Sequence, residues 1–245
     1  MKLNEINKGN IPQYVTKVTE TLQNKGFEAY IVGGCVRDLI LGRTPKDWDV
    51  TTNAKPDQIQ ALFEKTMYEN RFGTVAVYLI NEGEITNDTE EEQGNKAKYN
   101  IVEVTTYRKE AGYSDNRHPD VIEFSETIEE DLERRDFTIN AMAYDISKGH
   151  LKDIYGGIRD IEDKVVRTVG DAGERFSEDA LRVLRAIRFS SELGFAVSYE
   201  TLEAISQNAN NLAGISHERI RDEFTKIIMS PEPMVGIAML QKTGM

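Results

Sequence analysis

Apolar residues recur at helical spacing over residues 11–25, at Ile11, Tyr14, Val15, Val18 and Leu22, and predict a helix closed by Gly26. The apolar run EAYIV (28–32) predicts a short strand. Gly33-Gly34 then turns the chain, and CVRDLILG (35–42) reads as a helix ending at Gly42. DWDVTT (47–52) alternates with period two and predicts a strand, and Pro56 opens a helix through Phe63. TVAVYLI (74–80) and IVEVTTYR (101–108) are strong strand patterns. Strands and helices alternate through this half, which predicts a mixed sheet with helices.

The pattern changes after about residue 127. TIEEDLERRDFTINAMAYD (127–145) reads as helical in its first part, and LKDIYGG (151–157) as a strand and turn. From Ser177 to Ile228 the period is helical, with breaks near Gly194 and Gly214. The expected class is α+β: a mixed-sheet domain over 1–160, then an all-helical domain over 161–245.

Composition changes this picture little. A chain of 245 residues with 39% apolar and 29% charged residues is ordinary for a globular protein with a real core. Cys35 is the one cysteine, so no internal disulfide forms, and a reducing cytoplasmic location is expected. MKLNEINKGN lacks the apolar core of a signal peptide, and no run approaches a membrane span of about 20 apolar residues. The net charge of -12 argues against a broad nucleic-acid-binding surface. Part of that charge lies in NEGEITNDTEEEQGNKAK (81–98), where six acids against two lysines read as a solvated loop.

The candidate chemistry begins with two carboxylates. On a strand, residues i and i+2 share a face, so Asp47 and Asp49 project together while Trp48 points into the core. Adjacent carboxylates repel unless a cation sits between them, and a hard divalent ion such as Mg2+ takes oxygen ligands. Glu103 reaches the same place if its strand is a neighbour, which would complete a phosphoryl-transfer centre. Taken alone, D-x-D also fits a solvated turn. Gly33-Gly34 before a helix would let backbone N–H groups approach a phosphate, with Arg37 as a clamp. The bland alternatives are a plain turn and an Arg37–Asp38 pair on a solvated face. His150 and His217 make no metal-ligand spacing, and His118 is read as an ordinary loop residue.

GGCVRDLILG…KDWDVTT resembles the signature of class II tRNA nucleotidyltransferases, the CCA-adding enzymes, and of bacterial poly(A) polymerases. EVTTYR (103–108), RRDFTINAMAYD (134–145), DIYGG (153–157), RFSEDALRVLRAIRFSSELGF (175–195) and HERIRDEFTKII (217–228) follow in that family's order. The resemblance spans roughly residues 11–230. It implies a nucleotidyltransferase head domain followed by a helical neck, with further helical domains beyond. It implies Asp47 and Asp49 as metal ligands, with Glu103 as a supporting carboxylate. Gly33, Gly34 and Arg37 would meet the triphosphate, and Arg135, Asp136 and Asn140 the nucleotide's phosphate and ribose. Asp179, Arg182, Arg185 and Arg188 would form a nucleotide-selecting helix.

That selection has a chemical logic. Adenine and cytosine present an amino donor beside a ring-nitrogen acceptor, whereas guanine and uracil present a carbonyl beside a ring N–H. An Asp accepts only and an Arg donates only, so a fixed Asp179–Arg182 pair suits A and C. A spacing of three places them side by side on a helix. Further steps of three drift round it, which leaves Arg185 and Arg188 for phosphate or packing roles. An ordinary Glu178–Arg182 i,i+4 pair is the competing arrangement.

YSDNRHPDVIEF (113–124) carries Arg117-His118 where relatives often carry two arginines. The implied activity is template-independent transfer of CMP and AMP from CTP and ATP to the 3′ end of tRNA, with pyrophosphate released. Poly(A) synthesis, partial CC or A addition, a non-catalytic RNA-binding fragment and a small-molecule nucleotidyltransferase are the alternatives. No obligate protein partner is implied.

Overall fold

A computed structural model describes residues 6–68, 73–81, 99–113 and 121–245. The acidic stretch 82–98 and the loop carrying Arg117-His118 lie outside the described residues.

Helix α1 (Gln13–Asn24) buries Val15, Val18 and Leu22 on one face, as its period requires. It leads into strand β1 (Ala29–Val32), whose four residues are all buried. Helix α2 (Gly34–Ile40) and strand β2 (Asp49–Thr52) follow, then helix α3 (Pro56–Leu62). Strands β3 (Thr66–Tyr68), β4 (Thr74–Ile80) and β5 (Tyr99–Thr106) extend one side of the sheet. Strands β6 (Arg108–Ala111) and β7 (Val121–Phe124) pair separately. Helix α4 (Ile128–Glu133) and a single 3-10 turn (Thr138–Asn140) lead to β8 (Met142–Asp145) and β9 (His150–Asp153).

Among the described residues the main sheet has seven strands in the order β3-β4-β5-β2-β1-β8-β9. Only β2 and β5 run parallel, and every other pairing in it is antiparallel. β1 is covered on both faces, which explains its unbroken apolar run. The mixed α+β expectation therefore holds.

The second half is mainly helical: α5 (Gly157–Glu162), α6 (Ala172–Glu178), α7 (Leu181–Leu193), α8 (Tyr199–Asn208), α9 (His217–Ile228) and α10 (Pro233–Lys242). Asp171 caps α6 by accepting from the Glu174 N–H at 2.9 Å. This half is not all-helical. Two-residue strands β10 (Val165–Val166) and β11 (Ala196–Val197) pair in parallel, where the chain leaving α5 meets the chain leaving α7. Neither run is long enough to show a period in sequence.

α7 packs against α9 and α10. α10 crosses α9 so closely that a Cβ on Gly236 would lie 2.4 Å from Ile227 Cγ2. One hydrophobic core runs from Ile6 through both halves to Leu240. Phe137, just before the 3-10 turn, and Phe189 on α7 meet edge-to-face within it, with ring centroids 5.5 Å apart.

Candidate functional site

The sheet brings two of the candidate acids together. β2 and β5 pair in parallel with Asp49 directly beside Glu103, and the Glu103 N–H donates to the Trp48 carbonyl at 3.2 Å. Trp48 is buried, as its position between the two aspartates predicts. Asp47 departs from the expectation: β2 begins at Asp49, and Asp47 lies in an exposed bend before it. Pairing with β5 starts at Trp48, so nothing extends the strand back to Asp47. Its charge still reaches Asp49. Burial pushes the Asp49 carboxyl up from its ordinary value, Arg135 pulls it down and Asp47 pushes it up.

Gly33 ends β1 with φ +80° and ψ -135°, a conformation reserved for glycine. A Cβ there would lie 3.3 Å from Arg135 Nη1 and 3.7 Å from Asp49 Oδ2, so Gly33, Asp49 and Arg135 converge. The expectation that the Gly33 N–H faces a phosphate does not hold. That N–H donates to the Met142 carbonyl at 3.3 Å, because the β1–β8 pairing continues to the last residue of the strand.

Arg37 is paired with Asp38, but not on a solvated face. It is 6% exposed, and its Nη1 donates to Asn140 Oδ1 at 2.7 Å while Nε and Nη2 reach Asp38. Asn140 Nδ2 donates onward to Asp136 Oδ1 at 3.2 Å. Asp136 Oδ2 accepts from Arg185 Nε and Nη2 at 2.8 and 2.6 Å. Burial alone would raise the Asp136 carboxyl, but Arg185 and its other partners hold it at about 2. A continuous hydrogen-bonded chain thus runs from α2 to α7.

Beside this chain an open cleft of about 260 Å3 is lined by Arg134, Arg135, Asp136, Asp179, Leu181, Arg182, Arg185 and Arg219. Five arginines and two aspartates line it, and each arginine is ion-paired. Arg135 Nε is buried without a hydrogen-bond partner, and its Nη2 donates to Asp131 Oδ2 at 3.0 Å.

Asp179 and Arg182 share this cleft but are not side by side on one helix. Asp179 sits in the extended break between α6 and α7, with φ -142° and ψ 104°. Its Oδ1 accepts from the Leu181 N–H at 3.0 Å, a capping role that competes with helical backbone at Asp. Arg219 on α9 donates to Asp179 Oδ2 at 2.8 Å. Arg182 pairs instead with Glu178, the competing arrangement, and Nη1 also donates to the Arg175 carbonyl at 3.1 Å.

Arg185 belongs to the cleft, but Arg188 does not. Arg188 Nε donates to Glu223 on α9 at 2.7 Å, and its Nη1 donates to Glu192 on its own helix at 2.7 Å. The three-residue drift around the helix accounts for the separation, and packing is the role its contacts describe.

Asp131, Arg134 and Arg219 were not singled out by the sequence reading. Asp131 is fully buried under Arg134, Arg135 and the Thr51 hydroxyl. Its i,i+3 and i,i+4 spacing to the two arginines was a visible signal. Nothing in the sequence connects Arg219 with Asp179, which lies forty residues before it.

The acids present only carboxylate oxygens, the donor type a hard divalent cation prefers. Among the described residues no three His, Cys, Asp or Glu side chains converge at metal-binding distance. Asp49 and Glu103 are register neighbours, and Asp47 lies in the bend just before Asp49.

The sequence model described as the poly A polymerase head domain matches residues 29–167. The chain belongs to that family. A second model, described as the probable RNA and SrmB-binding site of polymerase A, matches residues 194–245. The CCA-adding enzyme of Lactiplantibacillus plantarum is 42% identical over 95% of this chain and 53% of its own length. That of Geobacillus stearothermophilus is 42% identical over 93% of this chain and 52% of its own. Among solved structures, the Bacillus stearothermophilus CCA-adding enzyme in complex with CTP superposes with a TM-score of 0.80 at 40% identity. It covers 95% of this chain and 52% of that one. The Thermotoga maritima enzyme complexed with tRNA superposes with a TM-score of 0.76 at 25% identity, over 99% of this chain and 53% of that one. The chain thus spans about half the length of the relatives it matches. No helix among its described residues is long and apolar enough to cross a membrane.

Proposed function

We propose that this chain carries the catalytic and nucleotide-selecting part of a CCA-adding tRNA nucleotidyltransferase. It transfers CMP and AMP from CTP and ATP to the 3′ end of tRNA in the cytoplasm, and pyrophosphate leaves. The observation that carries this reading is the adjacency of the Asp49–Glu103 pair to a cleft that holds arginines and the Asp179 carboxylate together. The first suits phosphoryl transfer and the second suits a nucleotide.

Each residue has a physical task. Asp47 and Asp49 would hold Mg2+, supported by Glu103. The ion supplies activation of the attacking 3′-hydroxyl and neutralisation of the leaving phosphate charge. Arg135, beside Gly33 and Asp49, meets the triphosphate with Arg37 behind it. Asp136 and Asn140 fix the arginines and face the ribose. Asp179 accepts from the amino group of adenine or cytosine, while Arg182 donates to the ring nitrogen and rejects the N–H of guanine and uracil. For that donation Arg182 swings from Glu178, its partner in the free protein.

An incorporation assay tests the reading. The purified chain receives Mg2+, a tRNA lacking its 3′ CCA, and each NTP singly and together. Three residues added from CTP plus ATP are expected. A long adenosine tail would move the assignment to poly(A) synthesis, which the family's description also accommodates. Addition stopping at CC or at A would mark a partial enzyme. Absence of both incorporation and NTP binding would overturn the reading.

A further inference from the structure

The ring of Phe189 is 3% exposed and lies within cation–ring distance of three guanidinium groups. The guanidinium carbon of Arg188 is 4.0 Å from the ring centroid, that of Arg37 5.1 Å and that of Arg185 5.5 Å. Arg185 and Arg188 come from the same helix, whereas Arg37 comes from α2, beside the sheet in the other half of the chain.

Three like charges gathered at one ring repel unless each is compensated. Each is: Arg37 by Asp38, Arg185 by Asp136, and Arg188 by Glu192 and Glu223. Phe137 meets the ring edge-on and fixes its plane. Leu or Ile would fill only part of the same volume, and only an aromatic ring presents a negative face to a cation.

Two of the three arginines are also joined by a second route, the hydrogen-bonded chain Arg37–Asn140–Asp136–Arg185. Arg37 stands at the end of the site near Gly34, and Arg185 lines the cleft that holds Asp179 and Arg182. The ring and the chain therefore brace the same two side chains. Long arginine side chains carry much rotamer freedom, so holding them before ligand arrives lowers the cost of binding.

We propose that Phe189 is a positioning residue of the nucleotide site, its ring the shared platform that pre-sets Arg37 and Arg185 for one nucleoside triphosphate. This rests on the nucleotide-site reading above. Phe189 touches no reacting atom and acts through the arginines.

The test compares CTP binding by calorimetry, with Mg2+ present, against thermal midpoint for variants of this chain. Phe189→Leu is expected to weaken CTP binding about fivefold or more, the effect of loosening two cation–ring contacts. Phe189→Tyr keeps the ring face and is expected to bind within about twofold of the parent by the same argument. Phe176→Leu changes another fully buried phenylalanine and is expected to lower the midpoint without moving affinity. If Phe189→Leu does not fold, Phe189→Met asks the same question with a more adaptable side chain. A lowered midpoint with parental CTP affinity in the Leu or Met variant would overturn the proposal, as would a Tyr variant that binds as weakly as Leu. Arg37→Ala and Arg185→Ala separate the two levels. If both bind CTP as the parent does, the nucleotide-site reading fails. If they bind weakly while Phe189→Leu binds normally, only the platform fails.

Discussion

Asp179 is held by Arg219, not by Arg182: the Arg219 Nη2 to Asp179 Oδ2 distance is 2.8 Å, and both residues line the cleft. The Leu181 N–H takes Oδ1, so the carboxylate is oriented before any ligand arrives. An acceptor fixed in this way discriminates better than a mobile one, because it cannot turn aside to accommodate a wrong base.

Asp179→Ala is therefore expected to relax base choice more than it weakens triphosphate binding. One lost recognition contact of this kind corresponds to about a tenfold or larger fall in the preference for CTP and ATP over UTP and GTP. Competition between nucleotides in single-turnover incorporation measures it. Unchanged rejection of GTP and UTP would count against base reading by this residue.

Asp49 and Glu103 are in register on the parallel β2–β5 pair of the main sheet. If Asp49 holds the ion, Asp49→Ala removes several kcal/mol of transition-state stabilisation, a fall of about a thousandfold in transfer rate. Binding of NTP rests on the arginines and should change only a few-fold. Rapid-quench incorporation alongside equilibrium CTP binding separates the two quantities. Near-parental transfer by the variant would remove Asp49 from the metal assignment.

Asp131 has a different task. It is fully buried, accepts from Arg134 Nη2 at 2.6 Å and Arg135 Nη2 at 3.0 Å, and ties α4 to Thr51 on β2. Burial would raise its carboxyl, but the two arginines outweigh burial and hold it at about 2, against an ordinary value of 3.8. A depressed folded value means that the ionised form stabilises the fold. That contribution, about 2 kcal/mol, is complete above pH 4 and is lost as pH falls toward 2. Asp131→Asn should lose about 3 kcal/mol at neutral pH, because Arg135 loses its ion-pair partner and Arg134 keeps only Glu110, and should flatten the acid limb of the stability curve. Urea unfolding at several pH values measures both. A variant as stable as the parent at pH 7, with the same acid limb, would show that Asp131 contributes nothing through its charge.

Local order in this protein was legible in the sequence. The period of Val15, Val18 and Leu22 specified α1, the apolar run EAYIV specified a short strand, and Trp48 pointed inward as alternation requires. These are consequences of the 3.6- and two-residue repeats, which involve only near neighbours. The ordered motifs likewise named most of the cleft: Arg135, Asp136, Asp179, Arg182 and Arg185 all line it.

Tertiary structure alone decided the pairings. Whether Glu103 stood beside Asp49 depended on strand order, which no local period encodes. A helical reading through residue 179 was reasonable from spacing, yet Asp179 found a better use for its carboxylate in capping α7 and receiving Arg219. Arg182 went to Glu178, Arg188 to α9, and Phe189 beneath an arginine from the other half of the chain. Charged and aromatic side chains are long and have many satisfactory partners, so their choice follows from which elements the fold sets side by side. Backbone periodicity is decided within a few residues; the pairings of this site join residues 40 to 103 positions apart.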